Sequence, residues 1–124
     1  MCPGQTVTWG GSSVTVMGDS SSSPANYEPL ACGFPAAGRE NVFKLVAPTT
    51  GTLKMTVEPT GFAATIYTSK GTCGDGSAGK CSSGVNVGTA VTLDVATTAG
   101  ATYYLFVDAW TQGKGGPFTM TLTY

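Results

Sequence analysis

Side chains able to do chemistry are sparse in this chain and thinly spread. Its 124 residues hold no histidine, four cysteines and seven carboxylates. Acid–base or nucleophilic catalysis needs a base, acid or nucleophile fixed beside a group that tunes it. The carboxylates are scattered with no local motif around them, so no enzymatic activity is expected. Gly74-Asp-Gly-Ser-Ala-Gly79 spells G-x-G-x-x-G, but that pattern signals dinucleotide binding only between a strand and a helix. Here it lies between Cys73 and Cys81 with no helix after it, and its glycines read as turn residues.

Four cysteines in a short chain rich in Ser, Thr and Gly favour two disulfides formed in an oxidising compartment. Structural zinc usually asks for two close Cys-x-x-Cys pairs, and none occurs. Of the three possible pairings, Cys2 with Cys32 and Cys73 with Cys81 is preferred: the second bridge closes a Gly-rich excursion and the first anchors the N-terminal arm.

Binding is the remaining chemistry. Trp110 sits in a stretch of Gly, Thr, Gln and Lys, where a large flat ring either grips an apolar ligand face or folds over an open end of the domain. Tyr104, Phe106 and Asp108 alternate along the preceding run. They share one face of a strand and extend a platform toward Trp110, unless a second sheet or loop covers them. Asp108 and Gln112 are placed to hydrogen-bond a ligand hydroxyl. Trp9, at the end of a short N-terminal strand, reads as core, and Lys114 as solvated.

Positioning these side chains falls to strands. Six Lys and Arg balance seven Asp and Glu, and 10% of residues are charged. That leaves no basic footprint for nucleic acid, and no apolar run of about 18 residues spans a membrane. No window sustains helical periodicity, whereas short β-branched and aromatic runs alternate between glycine-rich turns. Residues 5–9 and 13–17 read as an N-terminal hairpin. Residues 18–39, with Pro24, Pro29 and Pro35, read as a long loop from which Tyr27 and Phe34 fold back over the core. Residues 40–47 and 52–57 read as partners across the Pro48–Gly51 turn. Strands follow at 62–69 and 91–95, with brief pairing at 85–87, and 101–110 and 117–124 read as a closing hairpin. About eight short strands in a single domain, residues 1–124, make an all-β antiparallel sandwich. No hydrophobic edge demands a dimer, so a monomer is expected. Met1 directly before Cys2-Pro3 reads as an added start, and the expectation is one domain of a longer secreted protein.

The closing residues 98–108, Thr-Ala-Gly-Ala-Thr-Tyr-Tyr-Leu-Phe-Val-Asp, and then Gly116-Pro-Phe-Thr-Met-Thr-Leu122 resemble the final strands of the bacterial pre-peptidase C-terminal domain, especially its cysteine-containing relatives in myxobacterial secreted proteins. Glu40-Asn-Val-Phe-Lys-Leu-Val-Ala-Pro48 is similar to that family's acidic residue and first long strand, Gly51-Thr-Leu-Lys-Met to the start of the next, and Cys73 and Cys81 to the cysteines flanking its middle loop. The resemblance spans residues 38–124 and implies a jelly-roll-like sandwich and a non-catalytic appendage of a secreted protein. Some relatives bind collagen or polysaccharide and some bind calcium. Where the family pattern is acidic after the middle-strand phenylalanine and after the second cysteine, this chain has Ala63 and Ser82-Ser83. Glu40 and Asp108 remain as calcium candidates, with Asp19, Glu28 and Asp75 as a weaker set, and no cofactor is expected.

Together these readings give a secreted, disulfide-stapled accessory domain that adsorbs to an extracellular polymer, polysaccharide ahead of protein, beside a neighbouring domain of its parent chain. A spacer that stabilises or exports that neighbour and binds nothing itself is the alternative, and calcium-dependent docking between domains a third.

Overall fold

The computed structural model describes residues 4–22, 40–73, 80–84, 86–110 and 114–124. Among them are nine strands: β1 Gln5–Thr6, β2 Ser13–Asp19, β3 Asn41–Val46, β4 Gly51–Pro59, β5 Ala64–Lys70, β6 Cys81–Ser83, β7 Val91–Thr97, β8 Thr102–Ala109 and β9 Pro117–Thr123. They form two sheets, ordered β1-β3-β8-β5-β6 and β2-β9-β4-β7. All neighbours are antiparallel except β1 and β3.

Burial follows the two-residue period that strands impose. β4 buries Leu53, Met55 and Val57, β7 buries Val91, Leu93 and Val95, and β9 buries Phe118, Met120 and Leu122. From the opposite sheet Phe43, Leu45, Ile66, Leu105 and Val107 complete the same core. Phe43 meets Phe118 edge-on between the layers, with ring centroids 6.1 Å apart and planes at 88°. Phe118 also explains a glycine inside a strand: a Cβ on Gly18 would lie 2.4 Å from its Cζ. That close approach, rather than a turn, requires glycine there.

Strand positions match the periodicity closely, but pairing does not follow chain order. The three expected hairpins are crossings between sheets. β1 joins β3 while β2 joins β9; β3 joins β8 while β4 joins β7 and β9; β8 and β9 lie in different layers. Among the described residues β5 and β6 are the one pair of consecutive strands that hydrogen-bond. The reason is geometric. A tight hairpin keeps both strands in one sheet, whereas an arch across the layers sets the apolar face of each strand directly against that of the next.

Two of these arches brace each other. Residues 47–50 bridge β3 to β4 and residues 98–101 bridge β7 to β8. Ala47 N–H donates to the Ala101 carbonyl and Gly100 N–H to the Ala47 carbonyl, both at 2.9 Å. Ala99 N–H reaches Thr50 Oγ1 at 2.9 Å, and Thr97 Oγ1 donates to the Thr49 carbonyl at 3.0 Å. At the other end of the sandwich, Ser20 N–H and Thr60 N–H donate to the Gly116 and Pro117 carbonyls, both at 2.9 Å.

Two further expectations change. The brief pairing expected at 85–87 falls instead at β6, Cys81–Ser83, while Val87 is in an exposed turn and Val85 lies outside the described residues. Cys2, Tyr27, Cys32 and Phe34 lie outside the described residues.

Candidate functional site

The outer face of the five-stranded sheet carries most of the candidate residues. Register sets them in rows across the strands. Phe106 of β8 is opposite Val42 of β3 on one side and Tyr67 of β5 on the other, and Tyr67 is opposite Cys81 of β6. Two residues along β8, Asp108 is opposite Thr65, which is opposite Ser83. Continuing the β3–β8 register one step beyond Asn41 and Val107 sets Glu40 opposite Asp108. An aromatic row therefore runs beside a polar row, Glu40, Asp108, Thr65 and Ser83.

Both rows are closed to solvent at their centres. Phe106, Asp108, Glu40 and Thr65 are each 0% exposed, and Tyr67 1%. Tyr67 and Phe106 stack with centroids 4.7 Å apart and planes at 6°. Val42 joins them, and Cys73, Cys81 and Tyr104 pack against this second cluster, which is separate from the interlayer core. Tyr67 Oη donates to Asp108 Oδ2 at 3.0 Å, and Ala109 N–H donates to Asp108 Oδ1 at 2.7 Å. A buried carboxylate is tolerated when its oxygens are hydrogen-bonded in this way. Thr65 and Ser83 share a hydroxyl–hydroxyl bond of 2.8 Å.

This corrects the expected platform. Phe106 and Asp108 present no surface to a polymer, because a face that alternation alone leaves open is covered in the folded chain. Tyr104, on the same face, is half-buried, as is Trp110 just past the end of β8. Trp110 is fixed through its backbone, its N–H donating to the Ala63 carbonyl at 2.9 Å. Gln112 lies outside the described residues. Glu40 and Asp108 come together, with Asp108 accepting hydrogen bonds from Tyr67 and Ala109. Calcium takes six to eight oxygen ligands, and among the described residues no three carboxylate, cysteine or histidine groups converge. Asp19 caps a turn instead, accepting Ser21 N–H at 2.9 Å, and hydrogen bonds from Ser21 hold its carboxyl below its ordinary value. Glu28 and Asp75 lie outside the described residues.

Sequence reasoning passes over Tyr67, the partner of Asp108. Its signal is the alternation of Thr65, Ile66 and Tyr67, which puts Tyr67 on the face opposite the core residue Ile66. It also passes over an aromatic pair at the far end of the sandwich, where Trp9 meets Tyr124 edge-on at 5.4 Å. Trp9 Nε1 donates to the Gly11 carbonyl at 2.8 Å, and the Tyr124 hydroxyl is 2.7 Å from Thr97 Oγ1. With Trp9 packed on the core, as expected, the pair ties the N-terminal arm to the last strand.

Three solved structures share this fold. The pre-peptidase C-terminal domain of a collagenase from Bacillus anthracis superposes with a TM-score of 0.58 at 11% identity, covering 96% of this chain and 93% of that one. PliG from Aeromonas hydrophila, a periplasmic inhibitor of g-type lysozyme, gives 0.54 at 14% identity over 96% and 93%. The Yersinia pseudotuberculosis-derived mitogen gives 0.52 at 11% identity over 90% and 84%. The chain matches no protein-family profile and no curated protein sequence. The likeness to the pre-peptidase C-terminal domain is thus one of fold.

The buried Tyr67–Asp108 bond makes a prediction. Tyr67→Phe keeps the stacked ring but removes a donor from a buried carboxylate, at a cost of about 1–3 kcal/mol. Chemical denaturation should show that loss; a change below about 0.5 kcal/mol, the range of surface substitutions, would show that the bond contributes little.

Proposed function

We propose that this chain is a non-catalytic accessory module of a secreted protein that adsorbs to an extracellular polymer, polysaccharide ahead of a protein such as collagen, through Trp110 with Tyr104 and Gln112 at its margins. The observation that carries this reading is the placement of Trp110. Its backbone is pinned to Ala63, the residue just before β5, and its side chain is half-buried at one end of the sandwich. A flat ring on a rigid support binds an apolar sugar or peptide face at little entropic cost. The shared fold with a pre-peptidase C-terminal domain of a collagenase supports an accessory role. The extracellular setting draws support from that likeness and from the periplasmic inhibitor.

The spacer reading has its own observation: Phe106 and Asp108 are sealed, which shrinks the surface available to a ligand. Purified protein incubated with insoluble cellulose, chitin and fibrillar collagen separates the two. Retention on one polymer, lost in a folded Trp110→Ala variant, is the expected result. No retention on any of the three by folded protein favours the spacer.

The bridges are proposed as Cys73–Cys81 and Cys2–Cys32. Neither Cys73 nor Cys81 is a free thiol, and both pack on the Tyr67–Phe106 stack. Closing so short a loop is worth about 2–3 kcal/mol. Non-reducing peptide mapping should recover Cys73 joined to Cys81; either one joined to Cys2 or Cys32 would overturn the pairing.

A further inference from the structure

We infer that the open edge of β2 is a self-association surface, on which a second copy of this chain adds its own β2 antiparallel across a twofold axis. Among the described residues β2 ends the four-stranded sheet, and its register with β9 runs unbroken from Ser13 opposite Thr123 to Asp19 opposite Pro117. Hydrogen bonding just outside the strand fixes which residues face the edge. Tyr124 N–H donates to the Ser12 carbonyl and Ser20 N–H to the Gly116 carbonyl. In an antiparallel pair, residues bonded to the partner alternate with residues that are not. Val14, Val16 and Gly18 therefore bond to β9, and Ser13, Thr15, Met17 and Asp19 turn their N–H and C=O groups outward. All four are exposed.

Other edges are guarded in the ways folded proteins use. β1 has two residues and β6 three, too short to template a partner. On β7 the same alternation, fixed by Thr60 N–H donating to the Pro117 carbonyl and the β4 registers, turns Thr92, Asp94 and Ala96 outward. That edge carries a charge at its centre. β2 has seven residues with no proline, lysine or bulge.

A second copy fits this edge better than a charged partner. The one ionisable side chain on β2 is Asp19, at its end. With the twofold at Met17, Met17 faces its symmetry mate and Thr15 faces Asp19 of the other copy. The two Asp19 carboxylates then lie four residues apart along the strand, about 13–14 Å, so like charges do not meet. Met17 is 79% exposed, the most exposed large hydrophobic side chain among the described residues. Pairing packs two such thioethers together and joins two four-stranded sheets into one of eight. The monomer expected from sequence rested on the lack of a hydrophobic edge; here the driving groups are backbone amides that bond no described residue, with one methionine.

Sedimentation and light scattering on the whole chain, from micromolar to millimolar concentration, test this. Wild-type protein should show a concentration-dependent dimer. Thr15→Pro removes an outward N–H without touching a bond to β9, a position where an edge strand accepts proline. Met17→Lys places a charge at the twofold. Each should weaken the dimer at least about tenfold, while Thr15→Ser, which keeps the backbone donor, should leave it intact. Unchanged circular dichroism confirms folding, and Met17→Lys, a change at an exposed side chain, stands if Thr15→Pro misfolds. A wild-type chain monomeric at millimolar concentration, or a dimer indifferent to both substitutions, would overturn the inference.

Discussion

Each long strand among the described residues has an apolar face that it cannot bury within its own sheet. That constraint shapes the rest. An arch that carries the chain to the opposite layer puts Leu45 of β3 and Leu53 of β4 on facing walls of one core, which a hairpin cannot do. Repeated along the chain, arching gives two sheets whose strands come from alternate segments. Pairing is then almost wholly non-local, with β2 bonded to β9 across nearly the full length of the chain. Closing such loops precedes the contacts that reward it, which makes folding slow for a domain of this size. The stacked arches at 47–50 and 98–101 hold one end of the sandwich once the layers have met.

The second apolar cluster qualifies this two-layer picture. Val42, Tyr67 and Phe106 lie on the outside of the five-stranded sheet and are nevertheless buried. Next to them a carboxylate at 0% exposure takes hydrogen bonds from a tyrosine hydroxyl and its own neighbour's backbone. The Tyr67–Asp108 bond contributes specificity of register as much as stability, because shifting β5 by one residue would take the tyrosine hydroxyl away from the carboxylate. It also closes the face that would otherwise be the broadest binding surface.

Much of the fold was legible in residues alone. The alternation Leu53, Met55, Val57 and Phe118, Met120, Leu122 located strands and their inward faces, since side-chain period is a local property. Partner choice was not legible, because a glycine-rich connection such as Gly113–Gly116 suits an arch as well as a hairpin. Nor was the burial of Phe106 and Asp108: alternation places them on the outer face and says nothing of what covers it. Asp108 stood out as a candidate because it is a carboxylate in an apolar run, and the structure gives the same fact a structural explanation in Tyr67. Trp110 stood out for a different reason, as a large ring among small polar residues, and the structure shows it half-buried.

The outer aromatic stack of Tyr67 and Phe106 is sealed, whereas Trp110 is half-buried. Hydroxyl-radical footprinting read out by mass spectrometry tests this directly, each residue being compared with itself in denatured protein. Strong protection of Tyr67 and Phe106 alongside substantial labelling of Trp110 is the predicted pattern. Labelling of Tyr67 and Phe106 close to their denatured rates would mean that the outer face is open, and would return the binding surface to β8.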